Sequence, residues 1–296
     1  MNRVLCIGSV NLDHTYQVSH IVTGGETLAC TGYQCHWGGK GLNQALAAAR
    51  AGADAHFAGR LAAVDLPALQ DLGAENQLDV TRVKGGSVPT GHAMIQIDQQ
   101  GQNSIVICAG ANGELTPEDL RQVLADFGPG DYLLLQNEVN DVPEILRAGK
   151  EQGLSVVLNP SPITPEMESW PLEQVDFLIF NEVEGKALTG KTDPAEILEI
   201  LTHRCPNTML LLTLGAEGAC CRRGAETWTQ AAYPAEAVDT TAAGDTFTGY
   251  FLAALSQGSA VPQAMDRAAR ASAVTVSRPG AVDSIPTWKE LESQGV

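Results

Sequence analysis

Short, continuous apolar runs recur along the chain: Val4–Ile7, His56–Ala58, Tyr132–Leu135, Ser155–Leu158, Val175–Phe180 and Thr208–Leu214. They do not alternate with polar residues, which is the pattern of strands covered on both faces. Helix-start signals fall between them. Thr116-Pro117-Glu118-Asp119 offers an N-cap, a proline at the first helical position and acids in the first turn. Asp193-Pro194-Ala195-Glu196 repeats that device ahead of Ile197–Leu201, and Thr287-Trp288-Lys289-Glu290 has the capping-box pattern. Strands alternating with helices predict an α/β fold, a mostly parallel sheet with helices on both faces.

Two segments break this rhythm. Residues 14–36 lack helical periodicity and contain the turn signal Thr23-Gly24-Gly25. Residues 91–108 read as a hairpin, an alternating strand and a second apolar strand joined by Gln-Gln-Gly-Gln-Asn. Inserted in an α/β core, these pieces predict a small antiparallel β lid. No repeat, low-complexity tract or Pro/Ser linker divides the chain, so one domain over residues 1–296 is expected.

Composition narrows the function. The chain has 18 Lys+Arg against 35 Asp+Glu, a formal charge of −17. That excess argues against nucleic acid and against an anionic membrane surface, both of which attract basic patches. No apolar run nears the roughly 18 residues of a membrane span, and the short stretch after Arg3 meets Gly8 and Asp13, unlike a secretory leader. Seven cysteines, an odd number without a C-x-x-C pair, predict reduced thiols in a cytoplasmic protein rather than disulfides or a zinc site.

Three stretches carry candidate chemistry. Trp37-Gly38-Gly39-Lys40-Gly41-Leu42-Asn43-Gln44 leads into an Ala-rich helix. Its glycines let a ligand approach the backbone at a helix start, with Lys40 and Asn43 beside it, although a plain tight turn would use the same residues. It is not a Walker A loop, since Gln34 and Gly41 stand where Gly and Ser or Thr are needed. Thr213-Leu214-Gly215-Ala216-Glu217-Gly218 follows the strongest strand and suits either a nucleotide-hugging loop or a turn between strands. Asp239-Thr240-Thr241-Ala242-Ala243-Gly244-Asp245 leads into the apolar helix Phe247–Leu255. Backbone N–H groups of the small residues Ala242, Ala243 and Gly244 could stabilise developing negative charge, and Asp245 could accept a proton from a hydroxyl. A helix cap with a first-turn acid is the plainer reading of the same residues.

These motifs together resemble the ribokinase-like (PfkB) carbohydrate kinase family, and within it the ribokinases. Gly8-Ser9-Val10-Asn11-Leu12-Asp13, Cys108-Ala109-Gly110-Ala111-Asn112 and Asn181-Glu182-Val183-Glu184 add matches in the family's order. The resemblance implies transfer of the γ-phosphoryl of ATP to a sugar hydroxyl with Mg²⁺, foremost D-ribose to ribose 5-phosphate. It implies Asp245 as general base, and Ala242, Ala243 and Gly244 as the anion hole. Asn11, Asp13, Gly39, Lys40, Asn43 and Glu138 would bind the sugar, and Asn181, Thr213, Gly215 and Gly218 the nucleotide. Asn181 and Glu184 would serve Mg²⁺ through water. Asp239, Thr241, Thr275, Gly280 and Ser284 would bind a monovalent cation, K⁺. A homodimer through the lid is implied as well.

Departures from the family pattern bear on the substrate. Arg60-Leu61-Ala62-Ala63-Val64-Asp65 replaces a stretch in which the family often has two adjacent acids, and Pro279 stands where ribokinases often carry a basic residue. Other substrates therefore stay in view: another small sugar, a sugar acid, or a nucleoside whose base could meet Tyr16, Tyr33 and Trp37. A non-catalytic sugar-binding regulator is the alternative of a different class, although a mere binder has no need of a base such as Asp245.

Overall fold

The computed structural model describes residues 2–293. Strands β1 (Val4–Ile7), β2 (Asn11–Gln17) and β3 (Gly32–Gly38) precede helix α1 (Lys40–Arg50). Then come β4 (Ala55–Ala62), α2 (Leu66–Asn76), β5 (Asp79–Gly86), β6 (Gly91–Ile97) and β7 (Asn103–Cys108). Helix α3 (Pro117–Leu124), β8 (Tyr132–Gln136), α4 (Val142–Glu151), β9 (Ser155–Asn159), β10 (Phe177–Asn181), α5 (Glu182–Thr189) and α6 (Pro194–Arg204) follow. The remainder holds β11 (Met209–Thr213), β12 (Ala219–Arg223), β13 (Glu226–Gln230), α7 (Ala243–Ser256), α8 (Val261–Val276) and α9 (Trp288–Ser293).

Nine strands form one sheet in the order β13-β12-β11-β10-β9-β8-β1-β4-β5. The seven strands from β11 to β5 run parallel, and β12 and β13 extend the edge antiparallel. Successive residues of β1 feed opposite cores. Val4 and Cys6 belong to the core that α1, α7 and α8 cover, whereas Leu5 and Ile7 belong to the one that α4 and α6 cover. The layered α/β expectation holds. The caps also form as the sequence predicts: Thr116 and Asp119 make a reciprocal capping box, and the Asp193 carboxylate accepts from the N–H groups of Ala195 and Glu196. Three strands of this sheet lacked a continuous apolar run. β5 is an edge strand with alternating burial, and β12 and β13 form a half-exposed edge hairpin.

The small sheet differs from the sequence expectation in one respect. Its order is β3-β2-β6-β7, and β2 pairs with β6 in parallel, so it is mixed rather than antiparallel. Both strands leave the C-terminal ends of parallel strands of the main sheet, β1 and β5, and so enter in the same direction. Their hairpin partners β3 and β7 return antiparallel. Strand alternation then sorts its residues. Asp13, Thr15, His36, Ala93, Ile95 and Ile107 face a cavity, whereas Tyr33, Met94 and Val106 are exposed on the other side.

Candidate active site

A cavity of about 690 Å³ lies between the small sheet and the C-terminal ends of the parallel strands. The sheet order reverses direction between β1 and β8. Such a switch point leaves a crevice outside the strand ends, where ligands of open α/β sheets bind. The strands that are apolar along their length finish there in polar residues. Gln136 closes β8, Asn159 β9, Asn181 β10 and Thr213 β11, with Gln136 aligned on Asn159 and Asn181 on Thr213.

Asp245 occupies the first turn of α7 and is almost fully buried at the cavity wall. Its Oδ2 accepts from Asn43 Nδ2 at 3.0 Å and its Oδ1 from Gln44 Nε2 at 2.8 Å. Asn43 Oδ1, buried and beside the cavity, has no partner among the described residues. Ala242 precedes the helix with φ 60°, a left-handed conformation that costs energy for a side chain with a Cβ. Ala242 and Gly244 border the cavity, and nothing crowds Gly244. The N–H of Ala243 instead donates to Thr240 O at 3.3 Å, so the three expected anion-hole groups are not equivalent.

The opposite wall is acidic. Glu138 Oε2 accepts from the Ser9 hydroxyl and from the Lys40 N–H at 3.0 Å, which ties it to the start of α1. Burial raises the Glu138 carboxyl above its usual range despite the Lys40 ammonium nearby. Asp13, on β2, is pushed up to about 6, by burial first and then by repulsion from Glu138 and Asp245, against attraction from His36. Burial works against the charge of Lys40, but Asp245, Glu138 and Glu184 outweigh it and raise the ammonium above its ordinary value. A Cβ at Gly38 would collide with the Asp13 carboxylate, and one at Gly39 (φ 93°) would sit 3.0 Å from Asn11 N. The double glycine thus lets β2 and the start of α1 share one wall. Asn11 is oriented by Asn112, whose Nδ2 donates to Asn11 Oδ1 at 2.8 Å.

At the other end lie the residues expected to serve nucleotide and cations. Asn181 and Glu184 cap α5 reciprocally, each side chain accepting at 2.9 Å from the other's backbone N–H, and both border the cavity. The second Glu184 oxygen and the Asn181 carbonyl form a hard oxygen donor set, which fits Mg²⁺ held through water. Thr213 borders the cavity. Gly215 and Gly218 lie beyond its wall, in the turn between β11 and β12. Asp239 Oδ1 accepts from the Thr241 N–H and hydroxyl, and Oδ2 from the Gly280 N–H at 3.0 Å. Burial opposes ionisation of Asp239, but these bonds prevail and hold its carboxyl below the usual range. Asp239, Thr241 and Gly280 therefore meet at the cavity edge around one ionised carboxylate, the hard oxygen chemistry a monovalent cation takes. Thr275 and Ser284 are buried behind them, their hydroxyls donating to Thr246 and Ala281 respectively.

Ser9, Gln44 and Asn112, which lie within the motifs but were given no role, complete this arrangement with His36, Gln136 and Asn159, which the sequence did not single out. One signal was available for Gln136 and Asn159: a polar residue closing an apolar strand. The Arg60–Asp65 departure sits outside the cavity. Asp65 there accepts from the Thr90 hydroxyl, which in turn accepts from Ala62 N. Tyr16 and Tyr33 pack against each other at a tilt of 40° on the far side of the small sheet. Trp37 packs against the core.

Among the described residues no helix is long and apolar enough to cross a membrane, and all seven cysteines are free.

The family model of the pfkB family carbohydrate kinases matches residues 1–288. A ribokinase of Haemophilus influenzae is 35% identical over 302 aligned residues, covering 98% of this chain and 97% of the relative. Among solved structures, the ribokinase of Cryptococcus neoformans var. grubii in complex with ADP superposes with a TM-score of 0.86 at 31% identity, covering 99% of this chain and 100% of that one. Arabidopsis thaliana ribokinase complexed with ribose and ATP gives 0.85 at 30% identity, covering 99% and 97%.

Proposed function

This chain belongs to the pfkB family of carbohydrate kinases, and from that premise we propose that it transfers the γ-phosphoryl group of ATP to the 5-hydroxyl of D-ribose, with Asp245 as the general base. The observation that carries the reading is the buried, unpartnered Asn43 Oδ1 beside Asp245 on the wall of one cavity. A buried acceptor without a partner is costly. A polyhydroxyl ligand satisfies it and brings a second hydroxyl to the adjacent carboxylate.

Asn11, Asp13, Lys40, Asn43 and Glu138 hold and orient the sugar on the Gly39 backbone. Asp245 accepts the proton as the hydroxyl oxygen forms its bond to the γ-phosphorus, and the bond to the β-phosphate oxygen breaks to release ADP. The start of α7, Ala242 to Gly244, offsets the charge that develops. Asn181, Thr213, Gly215 and Gly218 serve the nucleotide. Asn181 and Glu184 would hold Mg²⁺ through water, and the ion would supply charge neutralisation for the ATP phosphates. Asp239, Thr241, Thr275, Gly280 and Ser284 would hold K⁺.

The charge pattern favours a neutral sugar. Among the described residues, the cavity is bordered by the carboxylates of Asp13, Glu138, Glu184, Asp239 and Asp245 but by one lysine and no arginine. A sugar acid would meet repulsion without the planar donor that carboxylates favour. A nucleoside would find no tyrosine or tryptophan among the cavity-lining residues.

Product identification tests the reading. Ribose incubated with ATP, Mg²⁺ and K⁺ is expected to give ribose 5-phosphate, with turnover higher in K⁺ than in Na⁺ or Li⁺. Absence of a phosphorylated sugar rejects the substrate, and indifference to the cation rejects the monovalent site.

Asp13 predicts a pH dependence of sugar binding. With its carboxyl near 6, it is ionised at pH 7.5 and gains a proton as pH falls through 6. Because the ionised acceptor is lost, the sugar Kd is expected to rise about tenfold between pH 7.5 and 5. Calorimetry in matched buffers measures this, and Asp13→Asn is expected to flatten the profile. A profile equally steep in the variant assigns the effect elsewhere.

The exposed side of the small sheet, with Tyr33, Met94 and Val106, supports a homodimer through the lid. Sedimentation velocity is expected to give a dimer, and Val106→Glu to weaken it; a monomeric native protein rejects this arrangement. The scattered free thiols support a cytoplasmic setting.

A further inference from the structure

Asp245 takes one of its hydrogen bonds from a residue that never reaches the cavity. Gln44 is 1% exposed and does not border it, and neither does Gln136, at 0%. Every polar hydrogen and the carbonyl of the Gln44 side chain are used. Nε2 donates to Asp245 Oδ1 at 2.8 Å and to Asn159 Oδ1 at 3.1 Å, while Oε1 accepts from Gln136 Nε2 at 2.7 Å.

The direction of these bonds matters. A glutamine amide turned over would present its oxygen to the Asp245 carboxylate and repel it. Two neighbours prevent that. Asn159 Nδ2 donates to Ile179 O at 2.9 Å, which leaves its oxygen turned to Gln44. Gln136 donates to the Gln44 carbonyl. Gln136 Nε2 also lies 3.6 Å from the sulfur of Cys6, which donates to Gly41 O at 3.4 Å. Burial pushes the Cys6 thiol up to about 12, so it stays a neutral neighbour. Gly8 leaves room for this amide, since a Cβ there would overlap Gln136 Oε1. The orientation of the Gln44 donor is thus fixed from the strand ends of the main sheet.

We propose that Gln44 is a positioning residue for Asp245, and that Gln136 acts through it by fixing which edge of the Gln44 amide faces the carboxylate. Held at Oδ1, the carboxylate keeps its Oδ2 edge beside Asn43 and the sugar site. This inference rests on Asp245 as the base. Satisfied buried networks of this kind lock the geometry of a reacting group, which affects the chemical step more than substrate binding.

Three variants test it by steady-state kinetics with ribose and ATP: Gln44→Met, Gln136→Met and Asp245→Asn, alone and combined. Gln44→Met keeps volume and removes the donor. Its kcat is expected to fall by roughly tenfold or more, with KM for ribose within about twofold. Gln136→Met is expected to lower kcat by roughly three- to tenfold, and the double variant to be no slower than Gln44→Met, because both act through one bond. In the Asp245→Asn background, Gln44→Met is expected to change nothing further.

Wild-type kcat in Gln44→Met, or effects of the two glutamines that multiply, overturns the proposal while Asp245→Asn remains inactive. Near-normal turnover in Asp245→Asn overturns the base instead. Should Gln44→Met not fold, Gln136→Met decides alone: a lower kcat at unchanged KM supports the proposal, and an unchanged kcat overturns it.

Discussion

Replacing Asp245 by asparagine is expected to lower kcat by at least about 10²-fold while leaving sugar affinity nearly unchanged. The amide has the volume of the carboxylate but cannot take up the hydroxyl proton. Its surroundings sharpen the expectation. Asn43 Nδ2 and Gln44 Nε2 both point donors at the carboxylate. An amide can accept from one of them only and turns its own N–H groups on the other. A fall in Tm is therefore expected alongside the loss of kcat, since a buried donor left without an acceptor costs about 1–3 kcal/mol. Ribose titration separates the two effects: Kd within about threefold of the native value, at a temperature well below the new Tm, isolates the chemical step. A weakened Kd with an intact kcat would make Asp245 a sugar ligand and nothing more.

The second large effect concerns a residue outside the cavity. Gly249 lies on α7 where that helix crosses α1, and a Cβ there would stand 2.5 Å from Gln44 O and 2.7 Å from Ala48 N. Both are backbone atoms of α1, so no side chain can turn aside. Gly249→Ala must push α7 away from α1. One helix carries Asp245 and the other carries Asn43 and Gln44, so the hydrogen bonds between them lengthen together. Overpacking of this kind costs on the order of 1–3 kcal/mol, a Tm fall of about 2–5 °C at this chain length. A loss of at least about tenfold in kcat is expected too, because small misplacements of reacting groups are expensive. Calorimetry and steady-state kinetics on the same sample test both. Native Tm and kcat would mean that the two helices are not held at this distance.

Much of this architecture was legible in the sequence because burial on both faces writes itself as continuous apolar runs. Val4–Ile7 and Tyr132–Leu135 announced the centre of the sheet, and Thr116, Asp193 and Thr287 announced helix starts. The strands that escaped, β5, β12 and β13, are edge or near-edge strands with one wetter face. Their alternation is too weak to separate from loop. The parallel pairing of β2 with β6 was invisible for another reason: it depends on which way two chain segments leave the main sheet, not on any local pattern.

The motifs at Asn11–Asp13, Gly38–Asn43, Asn181–Glu184 and Asp239–Asp245 are brought to one cavity. What local motifs could not convey was how those residues are held. The bond from Gln44 to Asp245 joins positions 201 residues apart, and that from Gln136 to Gln44 spans 92. No spacing rule relates such positions. Gly215 and Gly218 illustrate the converse, since a glycine pair after a strand suits a tight turn as well as a ligand, and the turn they form between β11 and β12 is compatible with both.

Substrate choice is the central question, and a single competition measurement addresses it most directly. Equal concentrations of ribose, deoxyribose, fructose, a sugar acid and a nucleoside share limiting ATP with the native enzyme, Mg²⁺ and K⁺, and the phosphorylated products are weighed by mass spectrometry. Ribose phosphate is expected to dominate, because an acid-lined cavity disfavours an anionic sugar and no tyrosine or tryptophan borders it to hold a base. A phosphorylated sugar acid or nucleoside as the main product, or no product at all, contradicts ribose phosphorylation by this site.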